Sequence, residues 1–287
     1  MRRVQTGILS TLLYADLFDY PLREHELWKY FIGKKITYTS FRSALEQLVK
    51  EKQVFIAKDF YTLPNRSQLI TQRLKRHKSG IKKIAYAQKV AKLLTSIPSV
   101  WGVGISGALA MHNAPYDDDI DLFIITAPRT LWLTRLLSIM LLDILHMRRK
   151  PGQRAVKNKL CLNMFMEGSG LQLPKKEQDL YSAHEVVQLK PLINKYKTYE
   201  RFLYANRWTK EYLPHAIKTP PKPLPMSIPD RGMLDFFELV CERFQRWYMR
   251  SRHTTEVIRK DMVRFHPEDA RYWVLKKFND QKKRLLH

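Results

Sequence analysis

Four carboxylates fall within five positions of the chain, at Asp117, Asp118, Asp119 and Asp121. Like charges this close repel one another, and burying one costs on the order of several kcal/mol unless a cation is supplied. In a chain that is otherwise strongly basic, an acidic knot calls for a reason. The run that follows, Ile120-Asp121-Leu122-Phe123-Ile124-Ile125, is too apolar for anything but a buried strand. Strand alternation then projects Asp119 and Asp121 from one face, with Ile120 and Leu122 on the other. A hard divalent cation such as Mg²⁺ fits this pair, because it takes one or two carboxylates together with the phosphate oxygens of a substrate.

The elements that must position these acids lie just upstream. Residues 100–105 read as a short apolar strand ending at Ser106-Gly107, where the chain turns sharply. Residues 108–111 read as a short helix stopped by Asn113 and Pro115. Backbone N–H groups freed at such a turn point towards an anion. The bland alternative is a solvated acidic turn before an ordinary core strand. Turn, helix, spacing and strand together favour the chemical reading.

A glycine turn, a short helix and Asp-hydrophobic-Asp opening a strand resemble the nucleotidyltransferase superfamily that includes DNA polymerase beta. Here Gly107-Ala108 is followed by ten residues and then Asp119-Ile120-Asp121. More narrowly, this stretch looks like small bacterial nucleotidyltransferase-like proteins. The resemblance implies an α/β (α+β) fold with a mixed-sheet core. It also implies Mg²⁺ on Asp119 and Asp121, the catalytic pair, and an NTP whose phosphates are cradled by Ser106, Gly107 and Ala108, with Asn113 shaping the site. Ala108 departs from the family pattern by removing a hydroxyl that can contact phosphate, although backbone donors remain. A second departure is the third carboxylate that polymerising members carry on a later strand. The corresponding run, residues 160–165, offers Asn163, and an amide serves neither as general base nor as anionic ligand. Glu167 is the nearest substitute and is expected beyond that strand. Lys157 and Lys159 lead into the strand, where a lysine can counter triphosphate charge; a solubilising role is the plainer reading of each.

The chain has 287 residues, long enough for two or three domains with real cores. Its 51 Lys+Arg against 27 Asp+Glu give a net charge of +24 and a pI near 10. Such a charge favours a polyanionic partner, nucleic acid before an anionic membrane surface. Cys161 and Cys241 lie far apart in apolar surroundings and read as core thiols, with no disulfide partner and no zinc site. The opening residues do not read as a signal peptide. The most apolar segment, 131–147, contains Arg135 and Asp143 and reads as a buried helix, not a membrane span. The expected location is cytoplasmic.

Residues 1–65 read as three helices and a β-hairpin, similar to a winged helix, with Arg42, Ser43, Glu46, Gln47 and Lys50 exposed on the third helix. Residues 66–98 form a basic helical connector able to gather a phosphate backbone, with Arg73 and Lys83 among its cations and Ile81 on its apolar face. The nucleotidyltransferase-like core is expected over 99–173, with helices on one face of its sheet. Residues 174–287 read as helical. Within them, Tyr181, His184 and Lys190 could stack on a base or contact phosphate, although a structural histidine is the plainer reading of His184. Helices are expected over 201–213, 232–252 and, with a proline in the first turn, through 273–286. A Pro-rich linker near 214–230 holds six prolines.

The expected function is Mg²⁺-dependent transfer of a nucleoside monophosphate from an NTP to an acceptor, with nucleic acid favoured by the basic surface. The rival is a catalytically inactive nucleotide-sensing or DNA-binding regulator using the winged helix. An interaction scaffold without nucleotide is the third possibility.

Overall fold

The computed structural model describes residues 1–150, 152–225, 232–250, 257–264 and 270–286. The chain opens with α1 (Arg2–Asp16), whose Ile8, Leu12 and Leu13 recur at helical spacing and are buried. Strand β1 (Leu22–Arg23) leads into α2 (Glu24–Lys29), where the Glu26 carboxylate accepts the Arg23 backbone N–H and closes the first turn. Leu27 and Phe31 point inward, as their spacing predicts. Helix α3 (Tyr38–Lys50) begins after Thr37, which is the cap and whose hydroxyl accepts from the Ser40 N–H. Strands β2 (Phe55–Ala57) and β3 (Phe60–Thr62) form the expected hairpin, turning through Lys58 and Asp59, both at positive φ. Strand β1 adds to β3, giving a three-stranded antiparallel sheet.

Helix α4 (Gln68–Leu94) runs for 27 residues towards the second sheet. That sheet is mixed and six-stranded, in the order β7-β4-β5-β6-β9-β8. Its central pair, β5 (Ile120–Thr126) and β6 (Leu160–Glu167), is parallel. Strand β4 (Val100–Ile105) runs antiparallel to β5 and also pairs with β7 (Lys190–Asn194). On the other edge, β9 (Met262–Arg264) runs antiparallel to β6 and is covered by β8 (Val257–Ile258). Among the described residues, three strands thus come from the region that reads as helices and a Pro-rich linker. Lys190 opens a strand instead of ending a helix.

Helices cover both faces of this sheet, not one. Ile120, Leu122 and Ile124 of β5 pack with Ile84, Val90 and Leu94 of α4 and with Leu131 and Trp132 of α6 (Leu131–Ile144). Phe123 and Ile125, alternating with them, join the core of α7 (Leu180–Gln188), α8 (Thr198–Ala205) and the N-terminal helices. Each fully buried Leu or Ile contributes roughly 1.5–3 kcal/mol.

Two helix readings need correction, and a third helix has an unexpected buried face. The expected helix over 201–213 is α8 followed by a separate 3-10 turn, Arg207–Glu211. Helix α6 is buried on one side only, since Met140 and Ile144 face outward. Helix α9 (Met233–Met249) presents Phe236, Phe244 and Trp247 to solvent and buries Cys241, Gln245 and Met249 against α6 instead. The Glu238 carboxylate fixes that orientation by accepting the Trp132 and Leu133 backbone N–H groups at 2.7 and 2.8 Å, which caps α6. The last helix, α10 (Ala270–Leu286), is present, whereas the proline expected in its first turn lies outside the described residues, as does the end of the linker near 214–230.

Candidate functional site

Strand β4 ends at Ser106, and Gly107 opens the four-residue helix α5 (Gly107–Ala110). Gly107 has φ +64, a conformation that L side chains avoid, and an added Cβ would lie 3.1 Å from the Asp121 Oδ2. The turn therefore needs glycine for backbone geometry and for close approach to the acid. The Ser106 N–H donates to the Asp121 carbonyl, locking turn and acid strand together. The Ser106 hydroxyl is buried without a partner.

Asp119, Asp121 and Cys161 each offer a ligand atom, all within 4.8 Å of one another, and together they can hold a metal ion. Asp121 lies opposite Cys161 in the parallel pairing of β5 and β6. The residue beside the acid pair is thus Cys161, and not Asn163 as the sequence suggests. Pairing passes from Leu122–Leu162 to Phe123–Met164, so Asn163 is the extra residue of a bulge. Its side chain is buried and its Oδ1 has no partner. Glu167 is the last residue of β6, paired with Thr126, about 16 Å along the strand from Asp121 at the usual rise. There it accepts the Arg129 backbone N–H. It cannot complete the cluster.

Burial, reinforced by Asp119, pushes the Asp121 carboxyl up to about 7. Burial and the adjoining Asp121 also raise the Cys161 thiol, which stays protonated and hydrogen-bonds the Asp121 carboxylate. Asp118 is raised by burial and by Asp119. The cluster is short of cations, and two residues that the sequence did not place beside it partly answer that. Arg149 donates to Asp119 at 2.7 Å. Lys83, which reads as a cation of the connector free to meet a phosphate backbone, is buried and donates to the Pro115 and Asp118 carbonyl oxygens at 2.9 and 2.6 Å, pinning the acidic loop.

The other anticipated residues are placed differently. Asn113 is committed to architecture, its amide donating to the Phe18 carbonyl at 2.9 Å and accepting from Arg76 at 3.3 Å. Lys157 donates to the Tyr116 hydroxyl and Lys159 to the His146 carbonyl, so neither binds an acid of the cluster. Arg73 is buried, paired with Glu26 at 2.8 Å and stacked on Tyr20, whereas Ile81 is exposed. His184 is buried and stacked on Tyr14 with ring centroids 4.0 Å apart, and burial lowers its pKa to about 3. Lys190 donates to the His112 Nε2 at 2.9 Å.

A cavity of about 250 Å³ lies between α1, α5, α7 and the residues that flank α2, and Gly107 and Ala108 form part of its wall. Glu185 of α7 is in that wall too, and burial pushes its carboxyl up to about 7 against the opposing effect of Arg264. Neither Arg149 nor Glu185 carries a spacing signal; only the register of β5 and β6 and the seating of α7 bring them here. Cys161 and Cys241 are free thiols, and no described helix is long and apolar enough to cross a membrane. Set beside known proteins, the chain matches no family model, no curated protein and no solved structure.

Proposed function

We propose that the protein is a Mg²⁺-dependent nucleotidyltransferase that moves a nucleoside monophosphate from an NTP to an acceptor, with an RNA end the acceptor favoured by its basic surface. The observation that carries this reading is the convergence of two carboxylates, Asp119 and Asp121, against the Gly107 turn. The two carboxylates suit Mg²⁺, which would complete its shell with water and phosphate oxygens and leave the protonated Cys161 thiol outside it. Bound there, Mg²⁺ would neutralise charge and orient phosphate oxygens. The Ser106 hydroxyl and the turn's backbone N–H groups would hold the outer phosphates. An acceptor hydroxyl oxygen would bond to the α-phosphorus as the bond to the leaving pyrophosphate breaks, its proton passing to water. Rate would come mainly from positioning and charge neutralisation.

The test is pyrophosphate release from each NTP with Mg²⁺, with and without RNA. Asp119→Asn combined with Asp121→Asn is expected to lower release at least a hundredfold. Release that persists in the double variant would overturn the assignment.

A second reading is a nucleotide-sensing regulator that docks on DNA through α3. The Arg149–Asp119 ion pair and the thiol in place of a third acid favour it. Mg²⁺-dependent NTP binding without pyrophosphate release, lost in the double variant, would decide for it.

A further inference from the structure

The cavity beside the Gly107 turn has a composition that the acid cluster does not explain. Its walls are aromatic, with Tyr14 of α1, Tyr181 of α7, and Phe18 and Tyr30 from the segments that follow α1 and α2. One carboxylate, that of Glu185, belongs to this apolar wall; its one attractive charge is the Arg264 guanidinium, with which it makes no hydrogen bond among the described residues. The adjoining His184 is 4 % exposed, and its Nε2 lacks a partner. Buried polar groups are normally satisfied, and an unpartnered imidazole nitrogen beside a half-buried carboxylate on an aromatic cavity wall points to a polar ligand there. At about 250 Å³ the space suits one ring system better than a whole drug-sized molecule.

We propose that this cavity is a nucleobase subsite for guanine, with Glu185 accepting its paired N–H groups and the aromatic side chains enclosing the ring. A carboxylate presents two acceptor oxygens side by side, and charge-assisted bidentate pairs are the strongest of such contacts. Guanine alone among the four common bases presents two adjacent N–H donors, N1–H and the 2-amino group, on one edge. Adenine and cytosine set one amino group beside a ring acceptor, and uracil sets one imide N–H between two carbonyls. Each would direct a lone pair at the carboxylate. The choice of a nucleoside as ligand rests on the nucleotidyltransferase reading, since Gly107 and Ala108 belong both to the cavity wall and to the phosphate turn.

The test is calorimetric titration of the full chain at pH 8, where the Glu185 carboxyl is ionised, with guanosine, adenosine, cytidine and uridine, without metal. Guanosine is expected to bind one to one and at least tenfold tighter than the others. Glu185→Gln should abolish that preference while the variant stays folded by circular dichroism. Ala108→Phe, which fills the cavity from α5 and keeps the carboxylate, should lose guanosine binding. Equal affinity for guanosine and adenosine, no guanosine binding, or a preference that survives Glu185→Gln would overturn the proposal. The outcome is separable from turnover. Pyrophosphate released equally from all four NTPs, with no guanosine binding, removes the subsite and leaves the transferase. Guanosine binding sensitive to Glu185→Gln, with no release from any NTP, does the reverse.

Discussion

Asp121 and Glu185 each hold a carboxyl raised to about 7, chiefly by burial. Their folded forms bind protons that the unfolded chain has already released between the ordinary carboxylate range and pH 7. Their stabilising effect is thus complete at low pH and is lost as pH rises to about 7. His184 and His112, lowered by burial to about 3 and about 4, act oppositely and cost stability as pH falls below the ordinary histidine range. The difference between wild type and a single variant isolates one group from this balance. Asp121→Asn is expected to gain stability relative to wild type between pH 5 and pH 8, by on the order of a few kcal/mol. Urea unfolding at several pH values measures it, and a flat difference would show that the carboxyl is not raised. Gly107→Ala should cost roughly 1–2 kcal/mol through its left-handed backbone. The same substitution should weaken divalent-ion binding, because the new Cβ crowds Asp121. At this scale the acid pair and the glycine were legible in types and spacing. Arg149, Lys83 and Cys161 were not, because a strand register and a long helix bring them in from positions 30 to 40 residues away.

At the scale of elements, the sequence announces those whose burial follows their own periodicity. Strand β5 is buried at every position but Asp121, and its apolar run says so. Strand β7 was missed because Lys190, Pro191 and Asn194 leave only Leu192 and Ile193 as apolar signal in an edge strand. The buried face of helix α9 was not legible, because its core-facing row is Glu238, Cys241, Gln245 and Met249, held by polar contacts that no hydropathy pattern reveals. Glu238→Ala is expected to destabilise by roughly 1–2 kcal/mol, the usual loss when a helix N-terminus is uncapped. Amide exchange would locate the effect in the first turn of α6. Loss confined to α9 would show that the carboxylate is not the cap.

Across the whole molecule, the N-terminal helices are joined to the mixed sheet by buried polar contacts as well as by a common core. The Arg73–Glu26 pair, the Asn113–Phe18 bond and the Tyr20 bond to the Met111 carbonyl all cross that junction. Arg73→Ala strands the Glu26 carboxylate and should cost about 3–5 kcal/mol. It should also split a single calorimetric transition into two. A single transition at nearly unchanged Tm would show that the core alone makes the coupling.

The mixed sheet also sets a timetable. Met164 of β6 pairs with Arg264 of β9, a partner synthesised one hundred residues later. Until that strand leaves the ribosome, the edge of β6 carries unpaired backbone groups beside Met164 and Met166, an open template for another chain. A nascent chain therefore passes through a long interval in which the Gly107 turn and the acid pair already exist but their sheet is unfinished. Synthesis halted after residue 250 should yield protein that aggregates, whereas the complete chain closes its own edge.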